Sequence, residues 1–98
     1  MEQFGNRIFE WDDAKQESNL DKHGIDFVDA RRVFDGRPTV EVRSSFEWEE
    51  RFLTTGFVGN RLITVVWTRR NAAIRIISAR RARDGEHRAY RALYGEGN

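Results

Sequence analysis

The chain has no cysteine, two lysines, two histidines and one proline in 98 residues. Without cysteine, neither a disulfide nor a thiolate metal site can form, and the redox compartment is left open. His23 and His87 lie far apart and no His-Glu-x-x-His motif is present, so no metal pattern is recognisable and no cofactor is expected. No apolar run approaches the ~20 residues of a membrane span, and the N-terminus lacks the apolar core of a secretion signal. A cytoplasmic protein is the simplest expectation. The glycines are scattered at turn positions rather than gathered into a phosphate-cradling loop, and nothing places Ser78 on a nucleophile elbow. The length fits one domain over residues 1–98, with residues 95–98 expected as a frayed tail.

What the chain does have is arginine, unevenly placed. Residues 1–60 carry 8 basic and 13 acidic side chains, a balance of −5; residues 61–98 carry 9 basic and 3 acidic, a balance of +6, and the two halves sum to the net +1. Because Lys15 and Lys22 are the only lysines, the second half is suited to forked recognition of oxyanions. The alternative is internal neutralisation, with the acidic half folded against the basic one.

The apolar period changes once along the chain. Residues 8–11 read as a short first strand, and Asp12 or Asp13 can cap a helix from Ala14 to His23 that stops at Gly24. Ile25 and Ala30 flank the start of a second helix whose apolar residues Phe27, Ala30, Val33 and Phe34 share one face, ended by Gly36 and Pro38. From Thr39 the period becomes two. Strands are predicted near 40–43, 52–58, 62–67 and 74–79, with a tight hairpin turn at Gly59-Asn60. Such short links require antiparallel neighbours. A last helix over about 84–94 has Tyr90, Leu93 and Tyr94 as its predicted buried stripe. Residues 44–50 read as either a loop tip or a strand extension. The fold class is therefore α+β: an antiparallel meander sheet of about four strands, with two N-terminal helices and a C-terminal helix.

The most informative stretch is Ala73-Ile74-Arg75-Ile76-Ile77-Ser78-Ala79-Arg80-Arg81-Ala82, followed by Glu86 and Tyr90. It sets an arginine pair at the end of an apolar strand just ahead of a helix, a common place for functional side chains. Alternation sends Arg80 and Arg81 to opposite faces, so one of them reaches a given phosphate. Pairing of both with acidic residues on a solvated edge is the structural alternative.

Read with Phe9-Glu10-Trp11-Asp12, Lys22-His23-Gly24, Ala30-Arg31-Arg32-Val33-Phe34-Asp35 and Glu50-Arg51-Phe52, this stretch resembles the BrnT family of bacterial toxins. The match keeps its order from about Phe9 to Tyr90. It departs from the family at Arg83, where members often carry a small hydroxyl residue, and at Gly85 inside the last helix's first turn. The resemblance implies a RelE-like fold and an endoribonuclease that cleaves mRNA and inhibits translation. It also implies a BrnA-type antitoxin with a ribbon-helix-helix part, through which alone operator DNA is bound.

In metal-independent RNA cleavage the 2′-hydroxyl attacks the adjacent phosphorus, so the site needs a proton acceptor, a proton donor and fixed positive charge. Arg80 and Arg81 are the candidates for charge, with Arg61, Arg69 and Arg75 as further RNA contacts. His23 is a candidate proton carrier or, alternatively, a cap facing the helix dipole. Glu86 and Tyr90 lie one helical turn apart; Glu86 can act as base or orient an arginine, and Tyr90 can stack on a base or fill the core. Trp11 and Trp67 are expected in the core. The rival reading from another class is a non-catalytic binding module whose basic face contacts nucleic acid or an acidic protein.

Overall fold

The computed structural model describes residues 2–4 and 7–95; of the predicted tail at 95–98, residues 96–98 lie outside them. The chain forms strands β1 (Glu2–Phe4) and β2 (Arg7–Glu10) and helices α1 (Asp13–His23) and α2 (Phe27–Ala30). A 3-10 turn (Arg31–Phe34) leads into strands β3 (Val40–Phe46), β4 (Glu49–Val58), β5 (Arg61–Arg70) and β6 (Ala73–Arg81), and helix α3 (Asp84–Tyr94) follows.

Capping fixes α1 at both ends. The Asp12 carboxylate accepts from the Lys15 amide at 3.1 Å, and Gly24 closes the helix at φ 69°, a left-handed conformation that costs glycine little. Asp26 caps α2 in the same way, accepting from Val28 N at 2.8 Å, and also accepts the Gln16 amide at 2.6 Å, which ties the two helix starts together. The predicted second helix is interrupted: after Ala30 the backbone tightens into the 3-10 turn, although Phe27, Ala30 and Val33 are buried as the spacing requires.

The predicted meander is present as β3–β4–β5–β6, all antiparallel, with Gly59-Asn60 turning β4 into β5. Residues 44–50 are both things foreseen: β3 and β4 extend to Phe46 and from Glu49, and Glu47-Trp48 forms the tip, with Trp48 fully exposed. The strand count is corrected upward. The sheet has six strands in the order β1-β2-β6-β5-β4-β3, because β2 joins β6 in parallel, pairing Phe9 with Ile74, and β1 pairs back onto β2. That parallel partner is more than sixty residues away, and periodicity carries no sign of it.

One sheet face packs under α1, α2 and the 3-10 turn. Phe9, Ile25, Phe27, Ile63, Val65, Trp67, Ile76 and Ala79 form its core, with Phe52 stacked on Trp67 at 4.5 Å and Phe34 edge-on to the same indole at 5.5 Å. Gly56 permits the chain entering β3 to lie against β4, since a Cβ there would stand 3.1 Å from Thr39 Cγ2. The other face is partly covered by α3. Tyr90 is buried there against Phe57, but Leu93 is 66% exposed and Tyr94 39%, so the predicted buried stripe narrows to Tyr90. The helix crosses only part of the sheet, leaving its last turn in water; Tyr94 instead donates to Thr39 O at 2.6 Å.

A buried polar side chain completes the sheet. Beyond Arg75 the outer edge of β6 has no strand partner among the described residues, and α1 covers it: Asn19 Nδ2 donates to Ala79 O at 2.9 Å and Ile25 O at 3.0 Å, while Ala79 N donates to Asn19 Oδ1 at 3.0 Å. The amide thus stands in for a missing strand residue on an edge that water does not reach. Asn19→Leu removes both pairings with Ala79 and leaves its N–H and C=O buried and unmet. Chemical denaturation at neutral pH is expected to show a loss on the order of 3 kcal/mol; a loss under 0.5 kcal/mol would mean the amide is dispensable.

Candidate functional site

At the C-terminal end of β6 the chain passes through Ala82 and Arg83 into α3, and this short link brings Arg80 and Glu86 together. Arg80 Nη1 donates to Glu86 Oε1 at 2.7 Å and Nη2 to Oε2 at 2.9 Å, a bidentate fork with both side chains mostly buried. Arg80 Nη1 also meets Arg81 O at 3.3 Å. The same carboxylate accepts from the Thr64 hydroxyl at 2.9 Å and from the Arg83 amide at 2.8 Å. Because Thr64 spends its proton on Glu86, the 2.6 Å contact between Thr55 and Thr64 must be donated by Thr55. Glu86 therefore ties β4, β5, β6 and α3 into one polar network.

The bond from Arg83 N to Glu86 is half of a capping box. Arg83, the N-cap residue, carries only donors and cannot return the other half. Gly85 meets nothing closer than Arg88 Nη2 at 3.8 Å, so its lack of a side chain is not required by packing.

These donors set the ionisation of Glu86. The Arg80 guanidinium, followed by the Arg83 amide and the Thr64 hydroxyl, outweighs burial and holds the carboxyl down at about 2, against an ordinary 4.5. The group is an anion throughout the neutral range and a weak base, and the geometry suits it to orienting Arg80.

The other residues singled out from sequence are distributed as follows. Arg80 pairs in register with Thr64 and Arg81 with Ile63, so the two arginines project to opposite sheet faces. Arg81 is exposed, whereas Arg80 is held under its carboxylate. Arg61 opens β5 opposite Val58, at the same sheet end as Arg81. Arg75 and Arg69 lie at the other end. Arg75 is ion-paired to Glu10 at 2.9 Å, and the Arg69 guanidinium lies 5.7 Å from the Trp67 ring on the helix-covered face. Five residues of strand separate Arg75 from Arg80, about 17 Å. Tyr90 is 3% exposed and donates to Pro38 O at 3.3 Å, so no ring face is open to a base and its role is in the core. Trp67 is buried and Trp11 half-buried, with its indole N–H on Gln16 at 3.0 Å.

His23 is exposed at the end of α1 and lines a recess with Lys15, Lys22, Ile77 and Ser78. Ser78 lies two residues from Arg80 on the same side of β6, pairing with Val66 as Arg80 pairs with Thr64. Lys15, Lys22 and His23 of α1 thus flank the outer edge of β6 at Ile77 and Ser78. Among the described residues, no group of three or more His, Asp or Glu side chains could hold a metal ion.

Sequence reasoning did not single out Thr64, Thr55 or Asn19. The threonines look like ordinary β-branched strand residues and Asn19 like a solvated helix position; only the strand register and the docking of α1 give them partners.

Fold and site together define a small α+β protein with an arginine held in a bidentate fork by a carboxylate at one end of its sheet. A sequence model of BrnT, described as the ribonuclease toxin of a type II toxin-antitoxin system, matches residues 11–86. The chain belongs to that family. No protein of curated function matches it.

The depressed ionisation of Glu86 has a direct consequence. Its folded-state value lies below the unfolded one, so the stability it confers is complete above about pH 4.5 and is lost as pH falls toward 2. For a carboxylate still 24% exposed, solvent screening trims the contribution to on the order of 2 kcal/mol. Glu86→Gln is expected to cost about that much at pH 7, with a deficit that narrows as both proteins are denatured at successively lower pH. A deficit independent of pH would contradict the assignment.

Proposed function

We propose that this toxin is a metal-independent endoribonuclease that cleaves mRNA in the cytoplasm and so inhibits translation, and that a BrnA-like antitoxin of the ribbon-helix-helix type silences it. Operator DNA is bound only through that antitoxin. The observation that carries the reading is the Arg80–Glu86 fork: a guanidinium aimed by a carboxylate that stays ionised is fixed positive charge of the kind a crowded phosphorane requires.

In the proposed reaction the 2′-hydroxyl oxygen attacks the neighbouring phosphorus as its proton passes to a base. The 5′-oxygen leaves with a proton from an acid, giving a 2′,3′-cyclic phosphate and a 5′-hydroxyl. Arg80 uses the N–H groups turned neither toward Glu86 nor toward Arg81 O, on Nε and Nη2, to stabilise the equatorial oxygens. His23, which lines a recess at the outer edge of β6 with Ile77 and Ser78, is the proposed proton carrier, because Glu86 is too weak a base at neutral pH. Arg81 and Arg61 are proposed to hold flanking phosphates. Arg69 and Arg75, about 17 Å along the strand, contact RNA at a distance if at all.

The test is incubation of purified protein with RNA. Arg80→Lys, which keeps the charge and loses the fork, is expected to reduce cleavage about a hundredfold or more, the scale of one lost oxyanion donor. His23→Ala is expected to abolish cleavage at unchanged melting temperature, and Arg69→Ala to leave the rate within a few-fold. Retarded but intact RNA with the parent protein would favour the non-catalytic binding module instead.

A further inference from the structure

β3 is an edge strand. Among the described residues it pairs with β4 on one side only, and all of its residues from Glu41 to Phe46 are exposed, including Val42 at 56% and Phe46 at 52%. Such an edge presents unpaired N–H and C=O groups to any strand that fits it. Charged side chains line this edge in a self-complementary order: Glu41 and Arg43, of opposite sign, stand two residues apart on the same side, with Val42 between them on the other.

We propose that β3 pairs with β3 of a second copy of this chain, antiparallel, with Val42 opposite its own symmetry mate. In that register Glu41 of each copy faces Arg43 of the other, Val42 meets Val42, and Val40 meets Ser44. Shifting the centre by one residue either way sets Arg43 against Arg43 or Glu41 against Glu41, which like-charge repulsion disfavours. The order Glu-Val-Arg therefore selects one self-complementary register. Thr39 O is already taken by the Tyr94 hydroxyl, so the ladder starts at Val40 and spans Val40 to Ser44 in each chain. The two-fold axis runs normal to the sheet. It joins two six-stranded sheets into one and keeps both Arg80–Glu86 sites on the same side, because Val40, Val42 and Arg80 share that face of the sheet through their register with Thr55, Leu53 and Thr64. The dimer is an isologous contact that closes on itself and exposes no further β3 edge.

The absence of cysteine makes a direct test available, since any disulfide reports an introduced thiol. Residues directly opposite in antiparallel strands bring their Cα atoms within disulfide range, so the purified Val42→Cys protein is expected to form a covalent dimer on mild oxidation. Ser44→Cys is the control. In this register its two copies lie four residues out of step, about 13 Å apart along the strand, and it is expected to stay monomeric on the same time scale. A second measurement uses sedimentation against concentration. Glu41→Arg and Arg43→Glu are each expected to shift the parent's dimer toward monomer, and the two combined to restore it, because the facing charges are again opposite. Equal cross-linking of both cysteine variants, cross-linking of neither, or a parent that sediments as a monomer at every concentration overturns the proposal.

Discussion

The Glu86 carboxylate is the group on which the junction of β6 with α3 depends. It accepts from a guanidinium on β6, a hydroxyl on β5 and the backbone amide that opens α3. Four donors converge on two oxygens, and the charge that results is what keeps Arg80 in one orientation. A carboxylate so occupied gives up proton transfer and gains the ability to hold a cation still. In the proposed reaction the labour divides accordingly: position from Glu86, charge from Arg80, proton movement from a group outside the network.

The uneven charge of the sequence takes on a spatial meaning. The basic second half supplies β5, β6 and α3, where the arginine-bearing sheet end lies, while acidic residues of the first half are spent on helix caps and local pairs, Asp12 and Asp26 at helix starts and Asp35 on Arg37. Asp35 is held below the ordinary carboxylate range by Arg37, burial notwithstanding. Internal neutralisation does occur, as at Arg75–Glu10, but it falls away from the exposed Arg81.

What could be read from the chain was whatever local chemistry decides. Asp12 and Gly24 bound α1 because capping and a left-handed stop are properties of single residues, and Gly59-Asn60 turned the hairpin for the same reason. The pairing of β2 with β6, the break of the second helix at Arg31, and the exposure of Leu93 depend on distant packing, and the sequence shows no trace of them. The site was legible in part. Arg80 and Glu86 stood out, six residues apart across a strand end and a helix start, yet the donors that hold Glu86 as an anion beside Arg80 include Thr64, whose strand register no local pattern shows. Tyr90 was ambiguous for the same reason, and Asn19 was invisible because its partner lies sixty residues away.

The central claim is that Glu86 acts through Arg80. A double-mutant cycle on RNA cleavage measures this directly, using Glu86→Gln, Arg80→Lys and the two combined, each at a temperature where the protein is fully folded. The account predicts strong coupling: Glu86→Gln alone slows cleavage by tenfold or more, about 1.4 kcal/mol, and costs almost nothing further once Arg80 has lost its fork. Losses that simply multiply would contradict it, because Glu86 would then serve the reaction independently of the arginine it holds.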